Sequence, residues 1–123
     1  MNPKIDTREK FTIITLDSDF SSDNLTAEFK ELIHLQLQHK TNIVINLKNI
    51  ARLDEAAIEE LAALQEQFYA QNISFVLCGI VPAVLAVIKE MELDDVMNIT
   101  PTETEALDIV QMEEVERELL GDE

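Results

Sequence analysis

The stretch that leaves this chain the fewest options is residues 42–79. NIVINLKNI is a short apolar, β-branched run. ARLDEAAIEELAALQEQFYAQN then bends, opens on acidic residues and continues with helical spacing, and ISFVLCG is a second apolar run of strand length. Together they predict one β-α-β unit. Two parallel strands joined by a helix need a right-handed crossover, which places both strands inside a sheet with little face left to solvent. The corner where the helix begins, Leu53-Asp54-Glu55-Ala56, follows a central strand, and open α/β sheets place their sites at such ends.

The remaining elements are expected to pack around that unit. A chain of 123 residues is long enough for one core and too short for two. The domain is expected to span residues 1–118, with an acidic, fraying tail at 119–123. Residues 3–8 and 10–16 read as an extended pair, with Phe11, Ile13, Ile14 and Leu16 in the second strand. DSDFSSDN ends extended structure and opens a helix in which Leu25, Phe29, Leu32, Ile33 and Leu37 fall at helical spacing. His34 and His39 lie toward the end of that helix, where cationic side chains suit the dipole.

Asp54 is the expected N-cap of the second helix, and Ile58, Leu61, Ala62, Leu64 and Phe68 its buried stripe. Asn72 is expected to close it in a left-handed turn. Strand 73–78 follows, and Pro82 then begins a third helix with Val84, Leu85, Ile88 and Met91 inward. An extended piece at 96–99 leads to Thr102 and Glu105, a capping box that opens a last helix. Its inner side is read as Ala106, Leu107 and Val110, continued by Val115 and Leu119.

Charge is the extreme feature of the composition: 25 acidic residues against 9 basic give a net charge of −16. Such a chain is repelled by phosphate backbones and anionic headgroups, so nucleic acid is not an expected partner and a basic patch on another protein is. The single cysteine, Cys78, excludes an internal disulfide framework, and in an apolar strand it reads as a buried, inert thiol. MNPKIDTREK lacks the apolar segment of a signal peptide, and the uncharged run 73–88 is too short for a span and is broken by Gly79 and Pro82. A cytoplasmic protein without direct membrane insertion is expected.

Several chemistries lack their residues. Two glycines, Gly79 and Gly121, cannot build a P-loop or a dinucleotide turn, so no nucleotide cofactor is expected. His34 and His39 are five apart, off a common helix face, and Cys78 is distant in sequence, so no metal is expected. Without a nucleophile beside a base, an enzyme is not expected either. Adjacent carboxylates such as Glu59/Glu60 and Asp94/Asp95 point about 100° apart on a helix and read as solvated faces. At Asp54/Glu55 both readings stand, a helix cap or part of a site.

The order of these segments, with LTAEFKEL, VINL, LDEAAIEELAAL, SFVLCGI, VPAVLAVIKEMELDDV and PTETEAL, resembles the STAS domain of bacterial anti-sigma factor antagonists over nearly the whole chain. The resemblance implies an α/β fold with a mixed β-sheet of four to five strands packed with four or more helices, working by protein-protein binding in transcription regulation. In such antagonists the helix start after the central strand carries Asp-Ser-Ser/Thr-Gly, and a partner kinase, itself the anti-sigma factor, phosphorylates the serine to end the interaction. Here Asp54 matches the aspartate, but Glu55 stands at the phosphoacceptor position and Ala56 and Ala57 replace the hydroxyl residue and glycine. No hydroxyl occurs between Leu53 and Tyr69. Phosphoserine would bring about −1.5 to −2 charges to this helix start, and Glu55 permanently brings about −1.

The reading is therefore a regulatory binding module not switched by phosphorylation at this corner. Its partner-binding surface is expected to comprise Asp54, Glu55, Ala56 and Ala57 with Lys48, Asn49 and Arg52 of the preceding loop, and its expected partner is an anti-sigma factor with a histidine-kinase-like ATPase domain. Two alternatives stay open, a cytoplasmic accessory subunit of a membrane transporter and a scaffold in a stress-signalling assembly.

Overall fold

The computed structural model describes residues 4–16 and 27–120, and for 27–29 the backbone alone. Among these residues the chain runs β1 (Lys4–Thr7), β2 (Phe11–Thr15), α1 (Ala27–Gln38), β3 (Asn42–Asn46), α2 (Glu55–Ala70), β4 (Phe75–Cys78), α3 (Pro82–Glu90), β5 (Ile99–Thr100) and α4 (Glu103–Leu120). The five strands form one sheet in the order β1-β2-β3-β4-β5, with β1 antiparallel to β2 and the remaining pairs parallel. The expected mixed sheet with four helices is the one observed. The segment expected to open the first helix falls within 17–26, outside the described residues.

Stepping from β2 to β5 always in one direction, with right-handed crossovers, puts α1, α2 and α3 on the same face of the sheet. That face carries the larger core: Ile14, Ile43, Ile45, Phe75 and Leu77 from the strands meet Ile33, Ile58, Leu61, Phe68, Val84 and Ile88 from the helices. The alternate residues Ile13, Val44, Val76 and Cys78 point the other way, where α4 covers them with Ala106 and Val110. With both faces covered, β3 and β4 are buried at every position, which is why residues 43–45 and 75–78 read as unbroken apolar runs. No helix among the described residues is long and apolar enough to cross a membrane.

Three helices end in the same way without glycine. Lys40, Asn72 and Glu92 have φ of 54°, 62° and 59°. The next amide in each case reaches back to the last turn, Thr41 N to Gln36 O at 2.9 Å, Ile73 N to Phe68 O at 2.9 Å and Leu93 N to Ile88 O at 3.1 Å. These are Schellman closures, which favour a residue that tolerates left-handed backbone. Asn72, expected there, does so readily; Lys40 and Glu92 do not. Lys40→Gly and Glu92→Gly are therefore each expected to stabilise by roughly 0.5–1 kcal/mol, the left-handed cost of about 1–2 less glycine's extra unfolded-state freedom. Urea midpoints measured beside Asn72→Gly, where little gain is expected, check this.

α4 departs from expectation. Val115 and Leu119 were expected on its inner side, but they are 52% and 77% exposed. Beyond Val110 the inner positions belong to Glu113, Glu114 and Arg117, because the amino ends of β3 and β4 beneath them are polar. Asn42 Nδ2 donates to Glu114 at 2.7 Å, and Ser74 Oγ donates to Glu113. Arg117 donates to Ser74 Oγ at 2.7 Å and to Asn42 Oδ1 at 3.3 Å, and Tyr69 donates to Glu113 at 3.0 Å. Helix α4 continues to Leu120, past the point where fraying was expected.

The strand expected at 96–99 is also displaced. Val96 N and Met97 N both donate to Leu93 O, at 3.2 and 3.0 Å, so a turn occupies this stretch and β5 begins only at Ile99. Strand β4 likewise begins at Phe75 rather than 73.

Candidate functional site

The corner after β3 is shaped by which of its residues are apolar. Leu47, Ile50 and Leu53 are buried, and between them Lys48, Asn49 and Arg52 are exposed. Leu47 N donates to Cys78 O at 2.9 Å and Ile50 N to Leu47 O at 3.0 Å, closing the loop as a tight turn. Asn46, the last residue of β3, fixes it from below: its Oδ1 accepts Lys48 N at 2.9 Å and its Nδ2 donates to Glu103 at 3.2 Å. Gly79 passes alongside with φ +70°, and a Cβ built on it would lie 2.6 Å from Asn46 Oδ1.

Helix α2 then starts where its sequence signals place it. Asp54 is extended, at φ −79° and ψ 165°, and accepts Ala57 N at 2.9 Å, so it caps the helix through the first orphan amides. Glu55 is the first helical residue and is exposed. Among the described residues its carboxylate makes no hydrogen bond or ion pair, so its charge faces water at the positive end of the helix dipole. Ala56 is exposed beside it.

Ala57 is a correction. It was grouped with the partner-binding surface, yet it is fully buried, because the inward stripe of α2 begins there and continues through Ile58, Leu61, Leu64, Gln65 and Phe68. The structure thus brings together Lys48, Asn49, Arg52, Asp54, Glu55 and Ala56 at the carboxyl ends of the parallel strands and leaves Ala57 underneath.

Sequence reasoning missed two layers of this corner. Asn46, Gly79 and Glu103 hold it from three separate segments, a relation with no local signature. Glu55 also begins an acidic edge, with Glu59 and Glu66, along a shallow groove of about 470 Å³ floored by Ala62, Met91 and Leu93. Its spacing of four and eleven residues was a helical-face signal available in the sequence.

The chemistry on offer is charge and hydrogen bonding. Cys78, beneath the loop, is fully buried, and burial, aided by the Glu103 charge, pushes its thiol up to about 11. Among the described residues no group of three or more His, Cys, Asp or Glu side chains could hold a metal ion. Cys78 is expected to resist thiol reagents at pH 8 until the protein unfolds, as timed disulfide-exchange labelling with and without urea measures. Tyr69 is pushed up to about 12, chiefly by burial and then by Glu113. Both folded-state values lie above the ordinary ones, so this stability is whole below about pH 9 and is lost as pH rises toward 11–12. Thermal midpoints recorded from pH 7 to 11 should fall at the alkaline end.

The family model described as "STAS domain" matches residues 2–106. Among solved structures, TM1081 of Thermotoga maritima, described as a "putative anti-sigma factor antagonist", is similar at 17% identity with a TM-score of 0.79, over 89% of this chain and 94% of that one. The anti-sigma factor antagonist SpoIIAA in its unphosphorylated form is similar at 15% identity and a TM-score of 0.67, over 89% and 98% of the two chains. SLC26A9 is similar at 17% identity and a TM-score of 0.64, over 91% of this chain and 21% of that much longer one. At these identities the likeness speaks to the fold. No curated protein sequence matches this chain.

Proposed function

We propose, since the chain belongs to the STAS domain family, that it is a non-catalytic regulatory module that binds a protein partner, in the manner of the anti-sigma factor antagonists it resembles, without a phosphorylation switch at the α2 corner. The observation that carries this reading is the position of Glu55: first residue of α2, directly after the Asp54 cap, exposed and unpaired among the described residues. A carboxylate there is a poor acceptor for a serine-type kinase and holds a permanent charge where relatives make a reversible one. The docking surface is Lys48, Asn49, Arg52, Asp54, Glu55 and Ala56, and the partner is an anti-sigma factor with a histidine-kinase-like ATPase domain, placing the protein in cytoplasmic transcription control.

Incubation with such kinases and ATP, followed by phosphate mapping, tests the reading. The unaltered chain should carry no phosphate at residues 54–57, and Glu55→Ser should gain it together with tighter kinase binding. Phosphate at this corner of the unaltered chain would falsify the proposal. Because the corner loses only a helix-start charge, Glu55→Ser should change stability by no more than a few tenths of a kcal/mol.

A second reading is favoured by the fit to about a fifth of the SLC26A9 chain: an accessory subunit of a membrane transporter. Affinity capture from native cells separates the two, since a transporter ATPase would co-purify in one case and a histidine-kinase-like domain in the other.

A further inference from the structure

Helix α4 has two apolar faces. Ala106 and Val110 are buried against the sheet, while Met112, Val115 and Leu119, spaced three and four apart, are 61%, 52% and 77% exposed. At about 100° per residue these three lie opposite the buried pair. The helix cannot roll to bury them. Glu114 is tied to Asn42 at 2.7 Å and Arg117 to Ser74 at 2.7 Å, so the inward face is held by directed bonds on its polar side.

The charges of α4 that flank the outward stripe are acidic, and the two cations that face it across the neighbouring groove are both paired, Arg8 with Asp6 and Lys10 with Glu118. Asp108, Glu116 and Glu118 flank the stripe, and Arg117, the helix's sole cation, is turned inward onto Ser74 and Asn42. Beside the stripe, an open groove of about 1070 Å³ runs between α4 and the β1–β2 turn, floored by Phe11 and Val110 and edged by Val115. The ion pair across this groove, Lys10 to Glu118 at 3.8 Å, is exposed at both ends and contributes little that an incoming cation would not restore.

We infer that the outward face of α4 is a docking surface, separate from the α2 corner, for an amphipathic helix of a partner protein whose apolar stripe is flanked by lysines or arginines. An apolar seam bordered on α4 by Asp108, Glu116 and Glu118, with the facing Arg8 and Lys10 already paired to carboxylates, selects that occupant by charge complementarity. A second copy of the chain would bring the same acidic borders and a net charge of −16 against its own kind.

The probe is an 18-residue leucine/lysine peptide that forms an amphipathic helix, compared with a scrambled peptide of identical composition and therefore identical charge. Titrated into the full chain by calorimetry, the amphipathic peptide should bind at least about tenfold more tightly than the scramble. The paired substitution Val115→Ser with Leu119→Ser, which leaves charge and core intact, should erase that preference, whereas Glu55→Ser should leave it unchanged. The Met112 methyl resonance should shift on binding. Equal binding of both peptides, or a preference that survives the paired substitution, overturns the inference. So does sedimentation of the unaltered chain as a dimer that the same substitutions dissolve, because a second copy would then be the occupant.

Discussion

Ile58→Asp is expected to leave the chain unfolded at room temperature. Ile58 is fully buried, one turn into α2, where the helix lies across β3 and β4 with Leu61 and Phe68 on the same side. Truncating such a side chain forfeits about 2–5 kcal/mol. A carboxylate in its place adds the cost of burying a charge with no partner, several kcal/mol more. Against a total stability of about 5–15 kcal/mol, that sum removes most or all of the folded population. Circular dichroism and the loss of a cooperative urea transition read the outcome. A variant with an unchanged midpoint would mean that α2 does not pack as described. Glu55 lies three residues earlier on the same helix and faces water, so Glu55→Ser should keep the transition intact. The pair separates what holds the domain together from what it shows to a partner.

The parts of the fold legible in the sequence were those written in local chemistry. Asp54 as cap, Asn72 in left-handed backbone, Pro82 as the first residue of α3 and the bonds between Thr102 and Glu105 all follow from one or two side chains acting on their own backbone. The apolar runs at 43–45 in β3 and 75–78 in β4 reported burial on both faces, and so a parallel sheet. What failed depended on distant segments. Val115 and Leu119 have the right spacing for a core face, but the polar pair Asn42 and Ser74 at the amino ends of β3 and β4 drew Glu113, Glu114 and Arg117 inward and left the apolar pair outside. An extended piece was expected at 96–99. Burial of Met97 and the left-handed Glu92 instead make a turn that leaves Val96 exposed.

The site shows the same division. Asp54 and Glu55 were placed by capping and dipole arguments, which are local. Ala57 entered the expected surface through a motif position instead of through the phase of its helix. Alanine gives no polarity signal of its own, whereas its neighbour Ile58 already marked that side as inward. The residues that hold the corner from behind, Asn46, Gly79 and Glu103, come from three separate segments and become a group only when the sheet brings them together.

Gly79→Ala is the substitution expected to strain that group. Its backbone stands at φ +70°, where a side chain costs about 1–2 kcal/mol. The new Cβ would lie 2.6 Å from Asn46 Oδ1 and 3.3 Å from the Lys48 backbone nitrogen, the two atoms of the hydrogen bond that pins the loop. Neither can yield alone: Asn46 is also held through Nδ2 by Glu103, and Lys48 is followed by the buried anchors Ile50 and Leu53. Losing that bond where the carboxamide is buried adds about 1–3 kcal/mol, so the total is expected near 2–5 kcal/mol. The amide resonances of residues 48–54 should shift with it, because the displaced loop is the one that presents Lys48, Asn49 and Arg52. Asn46→Ala removes the atom that the new Cβ meets, so Gly79→Ala should cost less in that background, the difference being the coupling between the two sites. An equal cost in both backgrounds would assign the whole effect to backbone strain at residue 79 and leave the loop independent of the β4–α3 turn.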